Sequence, residues 1–415
     1  MSASKFTSRF VRGLRLLGPP LGLALLVGVL TGLLGASFYR LVGWASRAFD
    51  GSPQLVVLLP AAGLLIAFLY RSAGPVGDTN DVLRAIQEKQ PLSRWMAPLI
   101  YICTVITRLF GGSVGTEGAA IQIGAGTADF LGRTFRLQPE QIRVLLMSGI
   151  SGGFAAIVGT PVTAVLLALE LAGVGIMYYA ALLPCAAASA VSFGIARAFG
   201  TAFPGFHLGS VPGITGLSIA EAALLAAMCG LVSILQCSAL RYAAKGYSRL
   251  VPNPLWRAAF GGVLIAAATW LAGSTAYNGD GLPLLRQAAS GGGQAQTFLL
   301  KMLFTALTLG AGFKGGAIVP TLVTGAAFGG WMGPLLGLPG PLSAGIGMTA
   351  VFCGAINCPV TSFVLGMEVF GTEGSLYLLL ACAVSYVCSG PSTLYPAQIL
   401  WQPKVGRPEG SLPYR

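Results

Sequence analysis

The sequence reads TPVTAVLLALEL from residue 160 to residue 171, and it reads CPVTSFVLGMEV from residue 358 to residue 369. Five of these twelve positions are identical, and a glutamate occupies the same place in both copies. A glycine-rich stretch precedes each copy: GGSVGTEG spans residues 111–118, and KGGAIVP spans residues 314–320. Two similar pairs in the same order indicate an internally duplicated chain. Duplicated membrane proteins with glycine-interrupted segments in matching positions are typically transporters or channels, with the site between the repeats.

The composition places most of this chain in lipid. Hydrophobic residues make up 54% of the 415 residues and charged residues only 9%, whereas soluble domains carry about 25% charged residues. Uncharged stretches long enough for one crossing of roughly 20 residues span 16–39, 144–169, 171–196, 222–240 and 258–279, and longer ones span 315–367 and 374–403. We therefore predict an all-α polytopic membrane protein with about ten or more membrane segments, several broken by glycine or proline.

Basic residues divide the chain into regions. The net charge is +12, and basic residues cluster before the first apolar segment, in the middle of the chain and at its end. The positive-inside rule places these three clusters in the cytoplasm. We predict an N-terminal membrane repeat at 1–240, a basic cytoplasmic linker loop at 241–257, a C-terminal membrane repeat at 258–403 and a cytoplasmic tail at 404–415. Because the basic residues are scattered over short loops, nucleic acid is a poor candidate for a partner.

Few residues are available for metal or enzyme chemistry. The only histidine is His207, and the eight cysteines lie mostly in apolar segments without metal-ligand spacing. We expect no disulfide framework, zinc site or cofactor. An intramembrane enzyme would need a nucleophile with its base, or paired metal ligands, at membrane depth, and the chain offers little to build them. A purely structural or receptor protein would not need duplicated glycine-rich helix starts.

Glu117 follows Gly115 and Thr116 and precedes the apolar run 120–125, so a helix is expected to begin there. Free N–H groups and the positive end of the helix dipole make such a start an anion site. A carboxylate can occupy it as a tethered anion, and protonation would then release it. A plain helix-capping carboxylate fits the pattern equally well. The stretch 315–320 repeats the helix start without a carboxylate, either as an anion site or as an ordinary helix start.

Three further polar groups lie within or beside apolar segments. Tyr395 follows the last long apolar segment, and Glu170 and Glu368 end the two repeated stretches. A buried tyrosine hydroxyl needs a partner such as an anion or a carbonyl, but a tyrosine at the membrane–water interface is the simpler interpretation. Ionisable groups within membrane spans are candidates for function, although the duplicated position of the two glutamates favours structural hydrogen bonding.

In order and spacing, residues 115–119, residues 315–320 and the segment around Tyr395 resemble the CLC family of chloride channels and anion/proton antiporters. Residues 159–161, which lead to Glu170, match a fourth family element, and the resemblance covers nearly the whole chain. It implies two inverted-topology repeats with broken and re-entrant helices. It also implies a homodimer with one separate anion pathway in each subunit.

The resemblance also implies roles for individual residues. Glu117 would be the external gating and proton-transfer glutamate, and a chloride ion would be the bound substrate. The backbone amides of Ile318 and Val319, with the Tyr395 hydroxyl, would coordinate the central anion. The full set of implied anion-binding residues is Gly77, Thr79, Gly118, Ile318, Val319 and Tyr395.

One departure from the family pattern concerns the anion. Where the family has a Gly-Ser-Gly-Ile-Pro-like run, residues 77–81 read GDTND. Gly77 then stands at the serine position, and the hydroxyl is either missing or supplied by Thr79. Fluoride-exporting relatives also depart from the pattern in this loop, and residues 313–316 resemble theirs. Residues 317–320, in contrast, are closer to the chloride-type filter.

A second departure concerns protons. Many antiporters of the family carry an internal glutamate one residue after the Glu170 position, and here that residue is Leu171. Protons would then need a water route past Leu171, or the protein would conduct passively. We predict chloride/proton antiport in a bacterial inner membrane, slightly ahead of a passive chloride channel. A fluoride/proton antiporter is the further alternative.

Overall fold

The computed structural model describes residues 3–201, 205–402 and 404, with side chains from residue 21 onward. Over these residues the chain folds into sixteen α-helices joined by turns and short loops. The only strands in this part of the chain are Gly173–Val174 and Ile399–Leu400, which form one short parallel pair. The predicted all-α fold is confirmed.

Eight helices form the first half of the described chain. A 3-10 helix at Pro53–Leu58 follows the first of them, and another at Tyr179–Ala181 precedes the last. The helices are α1 Ala3–Gly51, α2 Leu59–Ser72, α3 Thr79–Glu88, α4 Met96–Leu109, α5 Glu117–Thr134, α6 Pro139–Val158, α7 Pro161–Glu170 and α8 Leu182–Ala198.

Eight more helices form the second half. They are α9 Gly216–Leu250, α10 Pro254–Ala272, α11 Leu282–Ala289, α12 Ala295–Gly310, α13 Ile318–Leu335, α14 Gly340–Ile356, α15 Pro359–Phe370 and α16 Ser375–Cys388. The series α12 to α16 repeats the series α4 to α8 in order and approximate length. For example, α5 and α13 both have 18 residues, and α7 and α15 have 10 and 12.

Small residues hold the matching helices of each half in close contact. A methyl group added at Gly124 on α5 would collide with the carbonyl of Gly149 on α6, and one added at Gly325 on α13 would collide with the carbonyl of Gly347 on α14. Glycine at such places lets helix backbones approach closely, which is a common way of packing helices in membranes. The abundant glycine of the sequence therefore builds two similar helix pairs, α5 with α6 and α13 with α14.

Many helices are too short to cross a bilayer alone. Within the described residues, seven helices are long and apolar enough to span a membrane, and six more apolar helices have 10–17 residues. At about 1.5 Å per residue, the 10 residues of α7 extend over roughly half of a hydrocarbon core of about 30 Å. Short helices of this kind fit the prediction of broken and re-entrant segments.

The predicted linker loop at 241–257 is wrong as a loop. Helix α9 continues through it to Leu250, and α10 begins at Pro254, so that only residues 251–253 lie outside the helices. Residues 241–250 contain alanine, lysine, arginine and leucine, which favour a helix, and Pro252 is where the helical hydrogen bonding must stop. The basic residues are therefore held on a rigid helix.

Of the predicted tail at 404–415, only Lys404 lies within the described residues. Its ammonium donates to Ser389 Oγ at 2.8 Å and lies 4.6 Å from the centre of the Tyr386 ring. Lys404 therefore packs against α16 rather than extending away from the helices.

Candidate functional site

The two glycine-rich stretches meet in space. Gly115 and Gly316 form an antiparallel bridge in which each N–H donates to the other residue's carbonyl at 2.8 Å. A methyl group added at Gly118 would lie 2.8 Å from the Gly316 Cα atom, so only glycine allows this approach. The starts of α5 and α13 consequently lie next to each other, as expected for a site built between two repeats.

Glu117 is the first residue of α5 and is almost completely buried, with 4% of its surface exposed. Thr116 Oγ1 donates to its Oε1 at 2.7 Å. Its Oε2 is buried and has no hydrogen-bond partner in the described chain. A methyl group added at Gly115 would meet this Oε2 at 2.5 Å and Pro320 Cδ at 3.0 Å. The carboxylate therefore lies against the first turn of α13 with half of its acceptor capacity unused.

The first turn of α13 supplies backbone donors near this carboxylate. Ile318 and Val319 are its first two residues, and both are buried. The first N–H groups of a helix have no partner inside the helix, and they carry the positive end of its dipole. The N-cap residue is Ala317, which makes no side-chain cap. The predicted amides of Ile318 and Val319 therefore lie at the start of α13, where the Val319 amide faces the Glu117 carboxylate.

A cavity of about 440 Å³ lies against the two helix starts. Four of the predicted anion-binding residues line it, namely Gly77, Thr79, Gly118 and Tyr395. Residues 315–317 line it as well, whereas Ile318 and Val319 are not part of the lining. The structure thus brings four of the six predicted residues together around one space, although their sequence numbers differ by more than 300, and Ile318 and Val319 lie at the adjoining start of α13. Their binding of an anion stays a prediction.

Tyr395 is buried, with 6% of its surface exposed. A tyrosine at the membrane–water interface would be exposed, so that interpretation is wrong for this residue. Within the described chain its hydroxyl has no hydrogen-bond partner, while its backbone N–H donates to Thr393 Oγ1 at 3.1 Å. The hydroxyl therefore faces the cavity as a free donor.

The start of α3 is already occupied by carboxylates of its own chain. Asp78 Oδ1 accepts from Asn80 N at 2.7 Å, and Asp81 Oδ2 accepts from Asp78 N at 2.8 Å. The Thr79 hydroxyl is buried and accepts from Gln122 Nε2 at 3.1 Å. Gly77 has a φ of +81°, a conformation that disfavours serine. The conformation of this turn therefore explains why glycine, not serine, occupies position 77. The side chains of Thr79 and Gln122 supply the polar groups at this place.

Glu170 and Glu368 have structural partners. Glu170 Oε2 accepts from the N–H and the hydroxyl of Thr361 at 2.9 and 2.6 Å. Glu368 Oε2 accepts from the N–H and the hydroxyl of Thr163 at 2.8 and 2.6 Å. Each glutamate lies in the last turn of one helix of the pair α7 and α15 and caps the start of the other. The structural interpretation of the duplicated glutamates is favoured by this geometry.

Leu171 is fully buried and offers no side chain that could carry a proton. Its carbonyl accepts from Gln398 Nε2 at 2.9 Å, and the same amide donates to the Ile356 carbonyl at 2.7 Å. The position after Glu170 is therefore part of the packed contact between the two halves.

The sequence reading missed a charged cluster beside Glu117. Arg108 Nη2 lies 2.8 Å from Asp280 Oδ2, and Lys301 Nζ donates to Ser113 Oγ at 2.9 Å and to the Gly279 carbonyl at 2.8 Å. The cluster fastens the stretch 111–118 to the turn before α11. Arg108 and Lys301 are ionisable residues inside apolar helices, a signal that marks functional positions and could have revealed them.

Nothing in the described residues suggests a metal site. No three histidine, cysteine, aspartate or glutamate side chains there are placed to hold a metal ion. What the site does offer is a buried carboxylate, unused amides and a hydroxyl beside a cavity.

Comparison with known proteins gives consistent results. The profile of the family described as voltage gated chloride channel matches residues 61–390. A protein of Pseudomonas syringae pv. tomato named chloride/fluoride channel protein is 37% identical, over 94% of this chain and 88% of its own length. An H(+)/Cl(-) exchange transporter ClcA of Yersinia pseudotuberculosis is 25% identical, over 83% of this chain and 79% of its own length.

A solved structure agrees with these sequence matches. The crystal structure of a CLC-type fluoride/proton antiporter superposes with a TM-score of 0.89 at 29% identity. The match covers 92% of this chain and 98% of that chain. The arrangement of helices described above is therefore shared over nearly the full length of both proteins.

Proposed function

This chain belongs to the voltage-gated chloride channel family, known as the CLC family, and we propose that it exchanges small halide ions for protons across the membrane. It is an integral membrane protein, and the family's activity is anion transport. Fluoride is the substrate that we favour, and chloride is the second candidate. We propose that Glu117 is the group that both blocks the anion pathway and carries the proton.

The observation that carries this proposal is the state of the Glu117 carboxylate. It is buried next to the first turn of α13, and its Oε2 has no hydrogen-bond partner in the described chain. A buried carboxylate with an unused oxygen is costly, and it persists at a membrane site when it serves a function. The simplest function is that of a tethered anion at a place where a free anion can also bind.

The proposed cycle needs two movements. When Glu117 takes up a proton, its attraction to the helix dipoles is lost and the side chain leaves the starts of α5 and α13. A halide then takes its place, held by the amides of Ile318 and Val319 and by the Tyr395 hydroxyl. When the halide leaves toward the cavity, the carboxylate releases its proton to the opposite side of the membrane and returns.

The proton route follows from the cavity and from Leu171. Because Leu171 is fully buried, we propose that protons reach Glu117 through water in the cavity of about 440 Å³. At about 30 Å³ for each water molecule, the cavity has room for a continuous chain of them. The cavity reaches Gly118, the residue directly after Glu117, so a turn of the Glu117 side chain would bring it to this water.

The choice of fluoride rests on two relatives. The relative named chloride/fluoride channel protein is 37% identical, whereas the relative named as an H(+)/Cl(-) exchange transporter is 25% identical. The fluoride/proton antiporter structure covers 92% of this chain. The loop at Gly77 also departs from the chloride-type serine pattern, as fluoride exporters do. The stretch 317–320 keeps chloride in consideration.

We also propose a homodimer in a bacterial inner membrane. Large apolar side chains are exposed on α8 and α15, including Leu183 at 57% and Val360 at 43%. A second copy of the chain would cover them. Light scattering of the purified protein, corrected for detergent, is expected to give twice the chain mass, and a single chain mass would contradict the proposal.

The function is tested with the purified chain in proteoliposomes. An outward fluoride gradient is expected to drive protons inward against their own gradient, and chloride is expected to do so more weakly. Fluoride flux without proton movement would show a passive channel, and coupling to chloride alone would reverse the choice of substrate. The variant Glu88→Gln, which changes an exposed glutamate at the end of α3, serves as a control that should behave like the unchanged protein.

A further inference from the structure

The cavity beside the helix starts carries an uneven set of charges. Its lining includes the cationic residues Arg241, Lys245 and Lys314 and one carboxylate residue, Asp78. The Asp78 carboxylate is engaged at the start of α3, where it accepts from Asn80 N at 2.7 Å. The lining is therefore positive overall, and Arg241 and Lys245 are exposed on α9 whereas Lys314 lies half-buried within the cavity.

Lys314 is the cation closest in sequence to the pathway. It directly precedes Gly315 and Gly316, and Gly316 forms the bridge to Gly115. Its ammonium lies 4.1 Å from the centre of the Tyr70 ring. Within the part of the chain that the structure describes, it has neither an ion-pair partner nor a hydrogen-bond acceptor. A cation–π contact leaves N–H groups of the ammonium without acceptors.

A second cavity strengthens this point. It has a volume of about 720 Å³ and shares Tyr70, Gly312 and Lys314 with the first cavity. Its lining includes Arg71 and Arg257 and, among the described residues, no carboxylate. Lys314 thus stands where two cationic spaces adjoin. A structural ammonium would be expected to have a carboxylate or several carbonyls within hydrogen-bond distance, as Lys301 has with its three oxygen partners. The Asp78 carboxylate attracts Lys314 only from beyond ion-pair distance.

We propose that the Lys314 ammonium forms an anion subsite in this cavity, which takes the halide after it leaves the starts of α5 and α13. The subsite rests on the proposed transport function and deepens it. An anion that has shed part of its water shell needs strong donors, and charge-assisted hydrogen bonds supply them. A second site of moderate strength also lets an ion leave the first one, because conduction needs several weak sites rather than one tight site.

Equilibrium halide binding tests the subsite directly. Sodium fluoride and sodium chloride are titrated calorimetrically into the purified full-length protein, as wild type and as Lys314→Met and Lys314→Arg. Loss of one charge-assisted donor is expected to weaken halide binding about tenfold in Lys314→Met. Lys314→Arg retains the charge and is expected to bind within about threefold of wild type. Should Lys314→Met fail to fold, Lys314→Gln takes its place.

A matched control distinguishes direct halide binding by Lys314 from the long-range electrostatic attraction of the whole cavity. Lys245→Met removes an exposed charge of the same lining, and its effect on binding should be small and vanish when sodium gluconate raises the ionic strength. The Lys314→Met effect should persist at high ionic strength. Wild-type binding by Lys314→Met, or an equal loss of binding in both variants, overturns the subsite. Proteoliposome flux is measured in parallel: absence of halide flux in wild type overturns the transport function instead.

Discussion

Two regions of this molecule place a carboxylate at the start of a helix, and they use it differently. Where α7 and α15 meet, Glu170 and Glu368 cap each other's helices, and both oxygens of each carboxylate accept hydrogen bonds. At the start of α5, Glu117 accepts one side-chain hydrogen bond from Thr116 and keeps one oxygen without a partner in the described chain. The first region is fully bonded, and the second is only half bonded.

The difference shows that the attraction between a carboxylate and a helix start can serve either structure or the proposed transport. Protonating Glu170 would weaken several hydrogen bonds at once, because amide and hydroxyl donors surround it. Protonating Glu117 would remove its attraction to the two helix starts and break a single side-chain hydrogen bond, the one from Thr116. The pair α7 and α15 therefore fastens the two halves together, while Glu117 stays free to leave its place.

The largest effect on stability is expected when the fully bonded region is broken. In Glu170→Gln, the new NH₂ group faces the N–H of Val360, so one donor loses its acceptor. We expect a loss of about 2–4 kcal/mol of unfolding free energy. Thermal unfolding in detergent measures it, and a midpoint equal to that of wild type would contradict the structural role.

The equivalent variant sharpens this prediction. Glu368 is less buried than Glu170, so water can replace some of its bonds. Glu368→Gln should therefore lower the free energy of unfolding by less, on the order of 1–2 kcal/mol. Glu88→Gln, at an exposed site, should leave the midpoint unchanged.

A smaller effect is expected where the two glycine-rich stretches touch. The added methyl group of Gly118→Ala would lie 2.8 Å from the Gly316 Cα atom, and the backbones must separate to make room. We expect the free energy of unfolding to fall by about 1–3 kcal/mol, and we expect slower fluoride and proton fluxes. Gly246→Ala is the matched control, because a methyl group added there meets nothing within 4 Å; equal behaviour of the two variants would contradict the close approach.

The smallest effect is expected at Thr116, the one side chain that donates to Glu117. Thr116→Val keeps the shape and removes the hydroxyl, which weakens the hold on the carboxylate by about 1 kcal/mol. Fluoride turnover should rise a few-fold while proton coupling remains. Thr116→Ser, which retains the hydroxyl, should restore the wild-type rate, and a serine variant as fast as the valine variant would exclude the hydrogen bond as the cause.

Much of the fold could be predicted from the sequence, because local signals determine it. The lack of charge predicted membrane helices, and the paired glycine-rich stretches correctly predicted where α5 and α13 begin. The prediction of a loop at 241–257 is wrong because basic residues are typical of cytoplasmic loops but also favour a helix, as they do here.

Contacts between distant residues could not be predicted. Glu170 meets Thr361, 191 residues away along the chain, and Lys301 meets Ser113 across 188 residues. No local pattern encodes such pairs, since they depend on how the two halves dock. The same holds for Lys314, whose place between two cavities depends on Tyr70 from another helix.

The role of Glu117 as the proton carrier is tested most directly in proteoliposomes. Proton movement driven by a fluoride gradient is measured for Glu117→Gln and compared with that for Glu170→Gln. Glutamine cannot release a proton, so Glu117→Gln should abolish proton movement while fluoride still passes. Glu170→Gln, at the fully bonded glutamate, should keep proton movement wherever the protein remains folded. Proton movement that persists in Glu117→Gln, or that disappears only in Glu170→Gln, would contradict the account.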